Sequence, residues 1–253
     1  MITKPKIIVS ISGGRTSAMM AYLIKKDFGD THDIAYIFAN TGREKEETLI
    51  FLDKVDKFFG LGVIWVEAVV HHDERKSSSH RFVDFASANR DGSVFEEVIK
   101  KYGIPCTKAP GCTRELKNNT IKSAAADIDF GKYGQDYQTA IGYRADEQKR
   151  IKQHKITEEK HLYHLNDIGV RKADVARFWA NMPFDLELKD YEGNCKLCYK
   201  KSKRKLLTQL VEHPEDADWI VKMENDYGMV CPDEYTGTLP LRFFRERERA
   251  LLI

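Results

Sequence analysis

The chain has 253 residues, 42% hydrophobic and 32% charged, with a formal net charge of +2 at pH 7. That length supports a sizeable core, either as one large α/β domain or as a domain with an appendage, and the composition is that of a soluble globular protein. No apolar run approaches the ~20 residues of a membrane span, no apolar segment of leader length follows residues 1–5, and the near-neutral charge gives no global drive toward nucleic acid. A cytoplasmic protein with no membrane partner is expected.

Residues 6–11, with the apolar run Ile7-Ile8-Val9, predict a buried strand, and residues 17–26 a helix with apolar side chains at helical spacing. Between them runs Ser10-Ile11-Ser12-Gly13-Gly14-Arg15-Thr16-Ser17. A strand, a Ser/Gly loop and a helix start turn backbone N–H groups toward an anion. Adjacent glycines let a phosphate approach without a Cβ in the way, while Ser12, Thr16, Ser17 and Arg15 supply further donors. The loop lacks the Gly-x-x-x-x-Gly-Lys-Ser/Thr spacing of a Walker A motif. The plainer alternative is a strand-to-helix turn capped by Ser or Thr.

Residues 33–39 read as a second strand ending in Asn40-Thr41-Gly42, and residues 44–59 as a helix stopped by Gly60 and Gly62. Residues 62–66 make a third strand. The βαβαβ alternation predicts a parallel sheet with right-handed crossovers and ligands at its carboxyl edge. Residues 71–90 lose the pattern and read as a basic loop, where the tandem His71-His72 points two ways and argues against a metal site. Residues 93–102 and 114–127 look helical, and residues 137–142 form a further buried strand leading into Tyr143-Arg144-Ala145-Asp146-Glu147. A helix over 170–179 ends before Pro183. The lysine-rich segment 200–205 reads as a solvated helix face, and the alternating charges of 242–249 as a helical terminus. Three polar turns, 12–17, 40–44 and 142–147, thus follow predicted parallel strands and are expected to converge on one crevice.

Together these residues resemble the PP-loop ATP pyrophosphatase superfamily, and within it the phosphoadenosine phosphosulfate (PAPS) reductase-like branch. The Ser-Gly-Gly-x-x-Ser loop matches at residues 12–17. Phe38-Ala39-Asn40-Thr41-Gly42-x-Glu44-x-x-Glu47-Thr48 is similar to the branch's Asn-Thr-Gly segment, and Gly142-x-Arg144-Ala145-Asp146-Glu147-x-x-Arg150 to its Gly-x-Arg-x-x-Glu motif. The likeness continues through Cys112-Thr113-Arg114-Glu115-Leu116-Lys117 and Gly193-Asn194-Cys195-Lys196-Leu197-Cys198, covering roughly residues 6–205. The resemblance implies a Rossmann-like, adenine nucleotide alpha hydrolase-like parallel sheet flanked by helices over residues 1–150. A smaller helical region, 151–253, would carry the CxxC pair and pack on it. It further implies ATP, or PAPS, with Mg²⁺, held by Ser10, Ser12, Gly13, Gly14, Arg15, Thr16, Ser17, Asn40, Thr41, Gly42, Glu44, Gly142 and Arg144. Catalytic roles would fall to Arg15, Arg144 and Glu147. ATP-using members stabilise a departing pyrophosphate while an acceptor oxygen is adenylated, after which a sulfur or nitrogen nucleophile displaces AMP. Reductase members attack the sulfur of a sulfonucleotide with a cysteine thiolate. Arg15-Thr16 stands where many ATP-using members have Lys-Asp, so Asp146 or Glu147 would have to hold Mg²⁺.

Five cysteines, an odd and clustered count, favour metal ligation or catalysis over a disulfide framework. Cys195 and Cys198 form a CxxC pair, and Cys106 and Cys112 share a Pro/Gly-rich loop. Four thiolates fit tetrahedral zinc or a [4Fe-4S] cluster, spacing alone does not separate these, and unligated thiols remain a third option. Branch members with Cys-Cys near this point and a later CxxC bind [4Fe-4S]. Here Gly111 precedes Cys112, so Cys106 would complete the set. Cys231 reads as a buried bystander. No cysteine follows it where the reductases carry a Glu-Cys-Gly-type tail, which weighs against PAPS or adenylyl-sulfate reduction. ATP-dependent adenylation coupled to sulfur transfer is therefore the leading expectation, with sulfonucleotide reduction as the alternative. A non-catalytic nucleotide- or nucleic-acid-binding partner is the third reading, motivated by the basic segments 144–155 and 200–205. The acceptor (tRNA, DNA or a small molecule) and a homodimer stay open.

Overall fold

The structure, a computed structural model, describes residues 4–106, 109–155 and 160–228, without the side chains of 152–155. Cys231 and the segment 242–249 lie outside the described residues. Strand β1 (Lys6–Ile11) occupies the middle of a six-stranded sheet. It pairs in parallel with β2 (Asp33–Asn40) on one side and β5 (Tyr137–Ala140) on the other. β3 (Ile64–Val69) adds in parallel to β2 and β6 (His161–Leu162) to β5, while β4 (Ser79–Val83) closes one edge antiparallel, giving the order β4-β3-β2-β1-β5-β6.

Ile7, Ile8 and Val9 are all fully buried, as a parallel sheet covered on both faces requires. Ile7, Val9 and Ile11 join one core with α1 (Arg15–Phe28) and α2 (Glu46–Phe59), whereas Ile8 joins another beneath α5 (Thr120–Asp127). Gly60 ends α2 in the left-handed conformation, φ +58°, as its place after the periodic run predicts. On the α5 side the chain first passes through α3 (Ser93–Tyr102). A continuous helical segment follows, comprising α4 (Gly111–Thr113), the π-helical stretch Arg114–Asn119 and α5. Next come α6 (Gln148–Lys155), α7 (His164–Asp167) and α8 (Lys172–Ala180), then α9 (Lys203–Glu212) and α10 (Asp216–Tyr227).

Two features depart from the sequence reading. The segment expected to be a loop over 71–90 contains β4, whose polar sequence hides its strand character. It is held across the antiparallel register by Arg81, which donates to the fully buried Glu67 at 2.7 Å and 3.1 Å. The sheet also continues past residue 150 into β6, and α8 packs on α1. Trp179 stacks edge-to-face on Phe51 at 4.8 Å and its indole N–H donates to the Arg15 carbonyl at 2.9 Å. A separate apolar cluster ties α9 and α10 to Ile99 of α3 and to Leu197 of the CxxC segment.

Candidate functional site

Beyond β1 the chain turns to β2 on one side while β5 lies on the other, so the loops leaving β1 and β5 face each other at a topological switch point. A cleft of about 780 Å³ opens there, lined among others by Ser12, Gly14, Thr16, Arg144 and Glu147. Gly142 packs against the first loop, where a Cβ on it would make an ordinary contact with Ser17 Cα at 3.4 Å. Gly13 is needed twice over: its φ is +74°, and a Cβ would lie 2.5 Å from Thr48 Cγ2.

The hydroxyls of the first loop brace the loop itself. Ser12 N–H donates to Ser17 Oγ at 3.1 Å, Ser17 Oγ donates to the Gly14 carbonyl at 2.9 Å, and the two serine oxygens stand 3.0 Å apart. Helix α1 begins after Gly14 with no side-chain cap and no acidic residue in its first turn. The Ser/Thr-capped turn is therefore not what forms, and the positive end of the helix is left for an anion.

Arg144 links the two loops. Its Nη1 donates to Thr16 Oγ1 at 3.3 Å and lies 3.3 Å from Glu147 Oε2, while its Nε donates to Asp146 Oδ1 at 2.9 Å. Desolvation works to raise the Asp146 carboxyl, but the Arg144 guanidinium outweighs it and holds the acid below its usual range. Glu147 is also gripped by Arg150 at 2.6 Å. Arg15 also lines the cleft, where its guanidinium forks onto Asp185 at 2.6 Å and 3.0 Å and donates to the Leu186 carbonyl. It clamps the segment after α8 to the loop, so Arg144 is the guanidinium that spans both loops.

The third expected turn does not join them. Asn40, 0% exposed, donates to Glu67 Oε1 at 2.6 Å and to the Asn89 carbonyl at 2.8 Å. Gly42, φ +77°, packs against Asn89. Thr41 donates to Glu44 Oε2 through its amide at 2.9 Å and its hydroxyl at 2.7 Å. None of these four residues lines the cleft. The reason is that the end of β2 is roofed by the CxxC segment: Lys45 N–H donates to the Asn194 carbonyl at 2.7 Å and Lys196 N–H to the Arg43 carbonyl at 2.9 Å. The expected convergence of three turns is thus corrected to two.

Under that roof is a second pocket, of about 200 Å³, lined by Cys112, Cys195 and Cys198 together with Lys117 and Tyr199. All three cysteines are free of disulfides. Cys195 Sγ lies 3.6 Å from Glu44 Oε1, Cys112 Sγ 3.9 Å from the Tyr199 hydroxyl, and Lys117 Nζ 4.0 Å from Glu44 Oε1. Burial, reinforced by Glu44, pushes the Cys195 thiol up. Burial alone would lower the Lys117 ammonium, yet the sulfurs and Glu44 around it raise it, marking Lys117 as the pocket's counter-cation. Cys106 is the exception to the expected set of four. It is buried and disulfide-bonded, so it presents no thiol to this pocket.

A mononuclear tetrahedral site needs sulfurs about 3.8 Å apart, from Zn–S bonds of about 2.3 Å. Among the described residues no three Cys, His, Asp or Glu side chains are grouped closely enough for one metal ion. Sequence reasoning missed Asn194, whose side-chain amide donates to the Ser12 carbonyl at 2.6 Å. It also missed Asp185. Only the position of Asn194 beside Cys195 pointed to it.

The sequence matches the phosphoadenosine phosphosulfate reductase domain over residues 6–168, a stretch that contains both cleft loops. The chain belongs to that family. It is 32% identical over 202 residues to the uncharacterized nin region protein ORF290 of Escherichia phage lambda, a match covering 79% of this chain and 67% of that one. An uncharacterized protein of Methanocaldococcus jannaschii is 27% identical over 143 residues, 56% of this chain but 23% of the relative. Among solved structures, the U34-tRNA thiolase NcsA from Methanococcus maripaludis with its [4Fe-4S] cluster aligns over 99% of this chain and 74% of its own. The TM-score is 0.46 and the identity 16%. The PAPS reductase domain match ends before Cys195 and Cys198, so the CxxC half of the cysteine pocket lies beyond it. No described helix is long and apolar enough to cross a membrane.

Proposed function

We propose that this PAPS reductase-family chain is an enzyme that adenylates an acceptor oxygen with ATP in the β1/β5 cleft and delivers sulfur to the activated carbon from the cysteine pocket. One observation carries the reading. The segment 194–198 touches both sites, with the Asn194 amide on the Ser12 carbonyl and Cys195 at Glu44 and in the field of Lys117.

In this reading the uncapped first turn of α1 receives the triphosphate, and the loop's internal hydroxyl bonds hold its amides in place before the ligand arrives. Arg144, fixed between Thr16 and Asp146, faces the charge that builds as pyrophosphate departs. Asp146 and Glu147 are the carboxylates of that loop that would hold the nucleotide's Mg²⁺, which when bound neutralises charge on the leaving group. The acceptor oxygen attacks the α-phosphorus and the bond to the β-phosphate oxygen breaks. Hydrosulfide then adds to the activated carbon and AMP leaves with the acceptor's oxygen. The balance is acceptor carbonyl, hydrogen sulfide and ATP giving thiocarbonyl, AMP and pyrophosphate.

Cys112, Cys195 and Cys198 would hold a [4Fe-4S] cluster, whose irons are each reached by a single thiolate, better than one zinc ion. Held by these three thiolates, such a cluster would supply an iron able to bind sulfide. Lys117 offsets its negative charge.

The test is anaerobically purified protein incubated with ATP, Mg²⁺, sulfide and a panel of nucleosides and RNA and DNA oligomers. Acceptor-dependent pyrophosphate release supports the reading. No pyrophosphate with any acceptor, together with sulfite from a sulfonucleotide and thioredoxin, would assign the chain to sulfonucleotide reduction instead.

A further inference from the structure

Two lysines and two carboxylates form a chain where the CxxC segment crosses the end of β2. Lys45, the residue before α2, pairs with Glu192 and stands 3.7 Å from Asp216 Oδ2, and Lys196 Nζ stands 3.4 Å from Asp216 Oδ1. The order is Glu192, Lys45, Asp216, Lys196. Its ends open on different sites. Glu192 lines the β1/β5 cleft and Lys196 the cysteine pocket, while Lys45 and Asp216, 7% and 8% exposed, line neither.

Main-chain bonds from Lys45 to Asn194 and from Lys196 to Arg43 already pin the roof. Buried ion pairs add little net stability over apolar packing, so holding the fold together is a weak reason for four charges here. What sets the chain apart is that Lys45 is shared between two carboxylates. Desolvation works to raise the Glu192 carboxyl, but Lys45 and the Lys189 amide outweigh it and hold the acid below its usual range. A buried cation between two anions responds strongly to a new charge at one end, because little water screens it. At the other end, Asp216 opens α10, and its carbonyl accepts from Arg43 Nη2 at 3.4 Å. The Arg43 guanidinium lies 4.4 Å over Trp219, which stacks on Phe95 in the wall of the cysteine pocket.

We propose that Lys45 is a positioning residue that passes nucleotide occupancy of the cleft to the α10 wall of the cysteine pocket. Phosphates entering beside Glu192 add negative charge at that end of the chain and draw the Lys45 ammonium toward it. Asp216 is loosened, and the stack of Arg43 on Trp219 shifts with it. Asn194 joins the first loop to the CxxC backbone, whereas Lys45 is a separate, electrostatic link to α10. By linkage, an anion held in the cysteine pocket beside Lys196 acts back on nucleotide affinity through the same lysine. The inference rests on the nucleotide reading of the cleft.

Fluorine NMR of fluorotryptophan-labelled protein reads this link, because the three tryptophans sit in three places. Trp179 donates to the Arg15 carbonyl at the cleft, Trp219 lines the cysteine pocket, and Trp65 packs on Phe38 and Phe85 in the core. Saturating AMP-CPP, a non-cleavable ATP analogue, with Mg²⁺ is expected to shift the Trp179 and Trp219 resonances. Lys45→Met should keep the Trp179 shift and lose the Trp219 shift. Because that variant leaves two buried carboxylates short of a cation, Lys45→Met/Glu192→Gln is the companion. It keeps the Asp216 pair with Lys196 and should lose the Trp219 response in the same way. A merely structural Lys45 would lower the melting temperature and leave Trp219 responding to nucleotide in both variants, which overturns the proposal. A native Trp219 resonance that ignores bound nucleotide overturns it too, with the nucleotide reading intact. If calorimetry detects no AMP-CPP binding to the native protein, the nucleotide reading fails and takes the proposal with it.

Discussion

At the β1/β5 end of the sheet, two loops that follow directly on paired strands face α8 and the segment 185–201 across the cleft, and hydrogen bonds within and between the loops already hold their polar groups. The cysteine pocket draws Cys112 from α4 and Cys195 and Cys198 from a segment laid across the end of β2, and its thiols are buried around Lys117. The first site is preorganised for its ligand by local geometry. The second is assembled by tertiary packing and leaves its donors without strong partners. The first should therefore fail by altered ligand affinity with the fold intact, and the second by loss of what the thiols hold.

The largest effect expected is from Gly14→Asp. A Cβ there would stand 3.1 Å from Asn194 Nδ2, and the carboxylate would enter the space left for phosphate. Calorimetry should show ATP-analogue affinity down by at least about a hundredfold, close to 2.8 kcal/mol, with iron content unchanged. Unaltered affinity would remove the loop from the nucleotide site.

Next in size is Cys195→Ser, which should strip iron and sulfide from anaerobically purified protein and erase its visible absorption, with nucleotide affinity within about twofold of native. Cys106→Ser provides the contrast, because that residue is disulfide-bonded and should not be needed for iron. Iron retained in the first variant or lost in the second would reverse the assignment of ligands.

Asn194→Ala probes the join between the two regions. It deletes the amide that donates to the Ser12 carbonyl, a bond of about 1 kcal/mol, so nucleotide binding should weaken about fivefold. In the reduced protein, any effect of bound nucleotide on the electron paramagnetic resonance of the proposed cluster should shrink with it. An undiminished perturbation would mean that the two sites communicate by another route.

This contrast also explains what the sequence disclosed. β1 was readable to the residue, and the turn 12–17 was readable as the link from a strand to a helix start, because Ile7-Ile8-Val9, two glycines and three hydroxyls act on their own neighbours. The inward turn of Asn40, Thr41 and Glu44 was not, because it depends on Glu67, Asn89 and the roof at 194–196, all distant in sequence. Spacing grouped Cys106 with Cys112, whereas the folded chain gives Cys106 a disulfide and places Cys112 opposite the CxxC pair. Arg15, read from the loop as a phosphate ligand, lines the cleft paired to Asp185 from beyond α8, a partner the local sequence does not announce. In each case long-range pairing outcompeted a local pattern.

The smallest effect separates the regions by pH. Glu224, on α10 beside the cysteine pocket's Trp219 and Ile220, is 8% exposed, and neither carboxylate oxygen has a hydrogen-bond partner among the described residues. Burial pushes its acid up to about 8 from the usual 4.5. The folded chain therefore keeps a proton that the unfolded chain releases across that interval. Stability from this group is complete below about pH 4.5 and declines as pH rises toward 8, where ionisation puts an unpaired charge in an apolar setting. Glu224→Gln is neutral throughout, so its melting temperature should exceed the native value more at pH 8 than at pH 5, by about 2–4 °C for each kcal/mol recovered. The gain should accompany firmer retention of iron at pH 8 and leave ATP-analogue affinity alone, because α10 does not reach the β1/β5 cleft. Parallel pH–melting curves for the two proteins would show that Glu224 is not protonated in the fold.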